Sequence, residues 1–168
     1  VLDALNMPFE DNSVGSFFMM NVVHHVPDAE GLFREINRCL KPGGIVFIFD
    51  QNVNLFSRLI YKHLHHEPFD DTTTEWRFES QGPLSSANGA LAWILFFRDR
   101  LKFESLFSNL KVVSLKTRYP WAYWVSGGLK SKLKLPKWLF HVSAAGEDLV
   151  TGLLPRSGSF FEAVLKKQ

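Results

Sequence analysis

Residues 1–51 read VLDALNMPFEDNSVGSFFMMNVVHHVPDAEGLFREINRCLKPGGIVFIFDQ, and this stretch decides the fold. Its two apolar runs, Phe17–Met20 and Ile45–Phe49, do not alternate with polar residues, which predicts strands covered on both faces. Between them Asp28 can cap a helix, and Lys41–Gly44 can end it. Four apolar residues follow the cap at helical spacing: Leu32, Phe33, Ile36 and Leu40. The pattern therefore predicts two parallel strands joined by a crossover helix.

The composition is that of a folded domain. The chain has 168 residues, 46% hydrophobic and 14% aromatic, which predicts one domain with a sizeable core. A net charge of +2 argues against a general nucleic-acid binder. One cysteine, Cys39, excludes an intrachain disulfide and a cysteine-built metal site, and it suits a reducing compartment. The longest apolar run, Ala90–Phe97, is too short to span a membrane.

The rest of the chain predicts a few more elements. The expected helices are Asn54–His65, Ala87–Phe97 and Asp99–Phe107, and the expected strands are Lys111–Lys116 and Ser159–Leu165. Residues Glu67–Ser86 are polar and broken by proline and glycine, which predicts a loop or lid. Residues 119–157 are interpreted as an irregular aromatic and basic insertion, and Lys166 and Lys167 as solvent-exposed.

The N-terminal motifs resemble the second half of a class I S-adenosylmethionine-dependent methyltransferase. The matching pieces follow in the order and spacing of that family: Asp3-Ala4, Met7–Ser13, Asn21–Asp28, Arg34-Glu35 and Leu40–Gly44. Weaker cues make the C-terminal half similar to a bacterial subgroup: His66–Asp70, Gly82–Ser85, Ala87-Asn88, Arg98–Arg100, Ser126–Gly128 and Ser159–Phe161.

The resemblance implies an α/β, Rossmann-like methyltransferase half-sheet with flanking helices. The chain would hold the fourth to seventh strands of the family in the spatial order 4-5-7-6, with the seventh antiparallel. Residues 1–168 are then expected to be a single truncated domain, with 119–157 an insertion or lid within it. The first three strands and the glycine-rich cofactor loop would be missing, and no G-x-G occurs in the sequence.

The resemblance also implies which residues contact the cofactor. Asp3 would accept a hydrogen bond from the adenine amine, and the Ala4 N–H would donate to a ring nitrogen. Asn21 and Val22 would face the methionine portion. Such positions suit the carboxyl edge of an open α/β sheet, where ligands bind. The alternative for Asp3 is a surface turn.

His24 and His25 are the candidate catalytic residues. A histidine near neutral pH can act as general base for an acceptor, or can orient it. The alternative is that one caps backbone groups and the other packs. Methyl transfer is an in-line displacement driven largely by positioning, so a dedicated catalytic residue is not required. Asp50, at the end of the second strand, is expected either to face the substrate or to form a turn.

No metal site is predicted. Several candidate ligands cluster in the sequence, namely His63, His65, His66, Glu67, Asp70 and Asp71. His63 and Glu67 are helical neighbours, but no His-x-x-x-His pair occurs. A solvated acidic loop is therefore the expectation for this segment.

The insertion combines aromatic residues with lysines, a composition suited to a membrane interface. The aromatic and apolar residues are Trp121, Tyr123, Trp124, Trp138, Leu139 and Phe140, and the lysines are Lys130, Lys132, Lys134 and Lys137. The alternative is a lid packed on the domain. Nucleic-acid binding is not expected at this net charge.

The resulting prediction is S-adenosylmethionine-dependent methyl transfer to a small or lipid-linked acceptor, impaired in this chain. Cofactor binding is expected to be weak or absent. The alternative is a non-enzymatic interaction or membrane-surface module. A nicotinamide-dependent Rossmann oxidoreductase fits the motifs less well. We also expect self-association through the strand edge at Ser16–Met20, and a cytoplasmic or membrane-peripheral location.

Overall fold

Four strands form one mixed sheet in the computed structural model, which describes residues 3–63, 65, 67–80, 82, 86–118, 136–153 and 158–168. They are β1 (Val14–Met20), β2 (Leu40–Gln51), β3 (Leu110–Arg118) and β4 (Phe160–Lys167). The spatial order is β1-β2-β4-β3. β1 and β2 are parallel, and β4 is antiparallel to both β2 and β3. The predicted half-sheet, strands 4-5-7-6 with an antiparallel seventh strand, is confirmed.

The crossover helix α1 spans Ala29–Cys39. The Asp28 carboxylate accepts a hydrogen bond from the Gly31 N–H at 2.9 Å, which satisfies one of the free donors at the helix start. The apolar face of α1 is buried in the core through Leu32, Phe33 and Ile36. The predicted helix and its cap are therefore confirmed.

The Pro-Gly-Gly segment does end α1, but it lies inside β2 and does not form a separate turn. Val14 pairs with Leu40 and Ser16 with Ile45, so β2 carries three extra residues over this interval. A bulge takes them up, and Gly43 has the positive φ of 78° that glycine adopts without strain. The register of the β1–β2 pair is regular beyond it.

The remaining helices are α2 (Leu55–His63), α3 (Leu91–Trp93), a π-helical turn (Ile94–Arg98), α4 (Arg100–Leu106) and α5 (Lys137–Leu153). The buried helix expected at Ala87–Phe97 is real, but its second half is π-helical. Helix α5 corrects the expectation of an irregular insertion over part of 119–157. Residues 119–135, with Trp121, Tyr123, Trp124 and three of the lysines, lie outside the described residues.

An aromatic cluster covers one face of the sheet. The Phe33 ring lies edge-on to Phe96 and Phe103, with centroids 5.7 and 5.0 Å away, and Phe161 of β4 lies 6.0 Å from Phe96. On β1, by contrast, Phe18 and Met20 are 71% and 65% exposed. The prediction that both faces are covered was therefore wrong for the described residues at β1.

Lys167 is buried, which corrects the expectation that both terminal lysines lie in solvent. Its ammonium group donates to Asn12 Oδ1 and to the carbonyl oxygens of Asn37 and Leu40, at 2.6–2.8 Å. Three acceptors match the three donors of the group, so its burial leaves no hydrogen bond unmade. Lys166 is exposed as expected.

Candidate functional site

The backbone turns sharply where β1 ends. Asn21 has a φ of 53°, in the left-handed region that asparagine tolerates, and its N–H donates to the Phe49 carbonyl at 2.8 Å. Its side-chain Oδ1 is buried and has no hydrogen-bond partner among the described residues. Val22 is partly exposed, and Val23–His25 form one 3₁₀ turn. The turn places two adjacent histidines at the carboxyl edge of the sheet.

Asp50 organises this turn from the neighbouring strand. Its carboxylate is fully buried; one oxygen accepts from the Val23 N–H at 3.2 Å, and the other lies 2.5 Å from His24 Nδ1. Asp50 therefore lies within β2 and forms no turn of its own, and its side chain is closed to solvent. It holds the backbone and the first histidine in place.

Glu67 joins the two histidines. One oxygen lies 3.5 Å from His24 Nε2, and the other lies 3.5 Å from His25 Nε2. A further ring nitrogen, His65 Nδ1, is 3.6 Å from the carboxylate, and Gln51 Nε2 donates to it at 3.2 Å. Ligand atoms of His24, His25 and Glu67 all lie within 4.8 Å of one another. We call these three residues the histidine–glutamate cluster.

The carboxylates around His24 shift the pKa values of the ionisable groups in this cluster. Burial lowers the pKa of His24, but attraction and hydrogen bonding by Asp50 and Glu67 outweigh it and raise the pKa to about 9. The hydrogen bond from His24, against the opposing effect of burial, lowers the pKa of Glu67 to about 2. Before any ligand binds, His24 is therefore an imidazolium ion between two carboxylates at neutral pH.

The loop that carries Glu67 is anchored to the domain. Asn88 accepts a hydrogen bond from the Asp70 N–H at 3.0 Å and donates to the Asp70 carbonyl at 2.9 Å. The Gly89 N–H donates to the Pro68 carbonyl, and a Cβ at Gly89 would lie 2.3 Å from Gln51 Oε1. A side chain at position 89 would therefore force the Gln51 amide to move away from Glu67.

The expectation of a solvated acidic loop was therefore wrong for Glu67 and Asp71. The Asp71 side chain is 2% exposed and forms ion pairs with Arg58 and Lys62. Asp70 does lie at the surface, where it accepts hydrogen bonds from Thr72. His66 lies outside the described residues.

The candidate cofactor residues fall into two groups. Asn21 and Val22 lie in the turn beside the histidines. Asp3 is exposed, and its carboxylate accepts from the Leu5 N–H at 2.9 Å, as a turn aspartate does. Ala4 packs against the edge of the core. The hydrogen bonds of residues 3–9 among the described residues are thus with their own turn and with α1, and Met7 packs in the core.

Sequence reasoning missed Glu67 as a partner of His24 and His25. Glu67 was considered only with candidate ligands of its own segment, residues 63–71, whereas His24 and His25 lie about 40 residues away in sequence. Gln51 and the anchoring Asn88 were also missed. The sequence offered His24, His25 and Asp50 near the strand ends, and His65 and Glu67 after α2, without any indication that these side chains meet.

None of the described helices combines the length and the hydropathy that a membrane-spanning segment requires.

Two matches of high identity to known proteins are confined to short stretches of 48 residues. Residues 1–48 match the methyltransferase domain family. A sterol 24-C-methyltransferase of Gibberella zeae is 42% identical over 48 residues, which are 29% of this chain and 13% of that protein. Phosphoethanolamine N-methyltransferase 2 of Caenorhabditis elegans is 48% identical over 48 residues, or 29% of this chain and 11% of that protein.

A longer match is with the demethylmenaquinone methyltransferase of Staphylococcus saprophyticus. The identity is 25% over 126 residues, covering 69% of this chain and 49% of that protein. These matches therefore span at most about half the length of the relatives. A solved S-adenosylmethionine-dependent methyltransferase of Thermotoga maritima shares the fold, with a TM-score of 0.51 at 13% identity over 98% of this chain and 61% of that one. Residues 1–48 thus match the methyltransferase domain family, and the chain shares the fold of S-adenosylmethionine-dependent methyltransferases.

Proposed function

We propose that this chain takes part in methyl transfer from S-adenosylmethionine to a small or lipid-linked acceptor. In that reaction an acceptor atom attacks the sulfonium methyl group, the carbon–sulfur bond breaks, and S-adenosylhomocysteine leaves while the acceptor gives up a proton. The observation that carries the proposal is the turn after β1. There a family-matching segment brings Asn21, His24 and His25 to the edge of the sheet where α/β proteins bind ligands.

Asn21 and Val22 are assigned to the methionine portion of the cofactor. The buried Asn21 Oδ1, which has no partner among the described residues, suits this role because a buried acceptor without a hydrogen bond is costly. Asp3 and Ala4 are assigned to the adenine. His24 and His25 are assigned to the acceptor side, where a histidine accepts a proton or holds a polar group in position.

The acceptor class follows from the relatives and from α5. Two of the relatives named above carry a sterol and demethylmenaquinone in their names. Helix α5 exposes Trp138, Val142, Leu149 and Leu153. At 100° per residue these four lie within about 60° of one another, on one side of the helix. An exposed apolar stripe after a lysine-rich segment suits contact with a lipid surface, so we place the chain at the cytoplasmic side of a membrane.

Binding of S-adenosylmethionine tests the proposal. The hydrogen bonds that Asp3 accepts from the adenine and that the Ala4 N–H donates to it together provide about 3–4 kcal/mol. Millimolar binding needs about 4 kcal/mol. We therefore expect a millimolar dissociation constant by titration calorimetry of the full chain. Asp3→Ala should weaken binding further, whereas the exposed Glu79→Ala should not.

Two results would contradict these expectations in different ways. A micromolar constant would contradict the expected weak binding, because residues other than Asp3 and Ala4 would then carry most of it, but it would agree with the proposed methyl transfer. Binding that is undetectable at ten times the expected constant, or unchanged by Asp3→Ala, would favour a non-enzymatic module that keeps the fold.

A further inference from the structure

The imidazole and carboxylate groups of the histidine–glutamate cluster lie at the long limit of hydrogen-bond distances, close to the spacing of ligands around a metal ion. Both carboxylate-to-imidazole distances are 3.5 Å, at the limit of hydrogen-bond geometry. Around a tetrahedral zinc ion with bonds of about 2.0–2.1 Å, neighbouring ligand atoms lie about 3.3–3.4 Å apart. The two 3.5 Å distances go to different oxygens of Glu67, and the three ligand atoms lie within 4.8 Å of one another. An ion between the three groups would therefore be bound once the side chains close up around it.

The surroundings of His24 match those of a metal ligand. Metal-binding histidines almost always donate their other ring N–H to a carboxylate or carbonyl group. Asp50 occupies that position, 2.5 Å from Nδ1, and leaves Nε2 facing His25 and Glu67. Gln51 Nε2 donates to Glu67 and orients the third ligand in the same way.

The three groups are also held firmly. The His24 side chain is 2% exposed, and those of His25 and Glu67 are each 20% exposed. The histidines come from the 3₁₀ turn fixed by Asp50, and Glu67 comes from the loop fixed by Asn88 and Gly89. A site that is built before its ion arrives loses little conformational freedom on binding.

We propose that His24 Nε2, His25 Nε2 and the Glu67 carboxylate bind a divalent transition-metal ion, with zinc as the best match. Two imidazoles and one carboxylate are the ligand set of catalytic zinc sites that keep a fourth position open. Magnesium and calcium prefer oxygen ligands and are not expected.

The ion would bind and activate the methyl acceptor. An acceptor hydroxyl in the open position would have its pKa lowered, which makes it a better nucleophile for a methyl group. This role depends on the proposed function, whereas binding of the ion does not.

Zinc binding to the full chain, purified with a chelator and then freed of it, tests the inference. We expect one zinc ion per chain in competition with a chromophoric chelator, and a zinc-dependent rise in the thermal unfolding midpoint. Cobalt should give the visible absorption of a site with nitrogen and oxygen ligands. Magnesium should give neither effect.

Matched variants locate the site. His25→Ala and Glu67→Gln should abolish stoichiometric binding, and Asp50→Asn should weaken it about 10–100-fold by removing the partner of His24. His63→Ala, on an exposed position of α2, should bind like the parent chain. Far-UV circular dichroism confirms that each variant is folded.

Failure of zinc to bind the parent chain would overturn the inference, as would binding that survives in folded His25→Ala and Glu67→Gln. Neither outcome touches the proposed methyl transfer, since the titrations contain no S-adenosylmethionine and no acceptor.

Discussion

Glu35 ties the segment before β1 to helix α1. Its carboxylate accepts from Arg38 Nε and Nη2, at 2.9 and 2.8 Å, and from the Met7 N–H at 2.9 Å. The hydrogen bonds from Arg38 have the largest effect and the one from Met7 the next, and together they lower the pKa of Glu35 from its usual 4.5 to about 2. Because Met7 closely follows Asp3 and Ala4, Glu35 also helps to place the proposed adenine contacts.

Glu35→Gln should lower the free energy of unfolding at neutral pH. Between pH 4.5 and about 2 the unfolded state binds the proton of Glu35 and the folded state does not. The stabilisation is therefore complete above pH 4.5 and disappears as the pH falls towards 2. Urea unfolding of both chains across this range measures the difference, and the exposed Glu75→Gln should show none. A difference independent of pH would contradict the assignment.

Strand β1 has an unprotected edge among the described residues. It pairs only with β2, and its exposed Phe18 and Met20 add apolar surface beside that edge. The opposite edge strand, β3, carries exposed lysines at 111 and 116 and a register shift between Val112 and Ser114. Charged side chains and bulges discourage edge-to-edge pairing. Of the two edges, β1 is thus the one suited to pair with another strand.

We therefore expect the chain to self-associate through β1 as its concentration rises. Phe18→Lys with Met20→Lys should shift light scattering towards the monomer, since lysines on both strands would repel. Val113→Lys, at an exposed position on the other edge, is the matched control. A parent chain that stays monomeric, with rapidly exchanging β1 amides, would contradict this.

Local sequence patterns predicted the helices and strands. Long-range contacts decided which side chains are buried and which partners they have, and the sequence did not predict these. Asp28 and the apolar positions of α1 act within one turn of helix, so the sequence predicts them directly. The apolar run at Phe18 and Met20 predicted a strand correctly, but it carries no information on what covers each face. Glu67 and Lys167 were misinterpreted for a related reason. A charge looks solvated in sequence until the fold brings distant acceptors or imidazoles to it.

At the scale of the whole molecule, basic charge and exposed apolar surface occur in the same region. From Ser105 to Gly146 the sequence has seven lysines and arginines and no acidic residue, although the net charge is only +2. Helix α5 begins inside this region with the exposed Trp138. Each lysine near an anionic lipid surface contributes about 1 kcal/mol, and the apolar stripe adds burial.

We expect the chain to co-sediment with vesicles containing phosphatidylglycerol, and much less with pure phosphatidylcholine, because the attraction is partly electrostatic. Added salt should weaken the binding, since exposed charges are screened over about 10 Å at 0.1 M. Trp138→Ser with Leu149→Ser should reduce it by removing the apolar stripe. Leu101→Ser, at an 84% exposed position on α4, should have no effect. Equal binding of the double variant and the parent would mean that α5 does not face the lipid, and the case for a lipid-linked acceptor would then depend on the relatives alone.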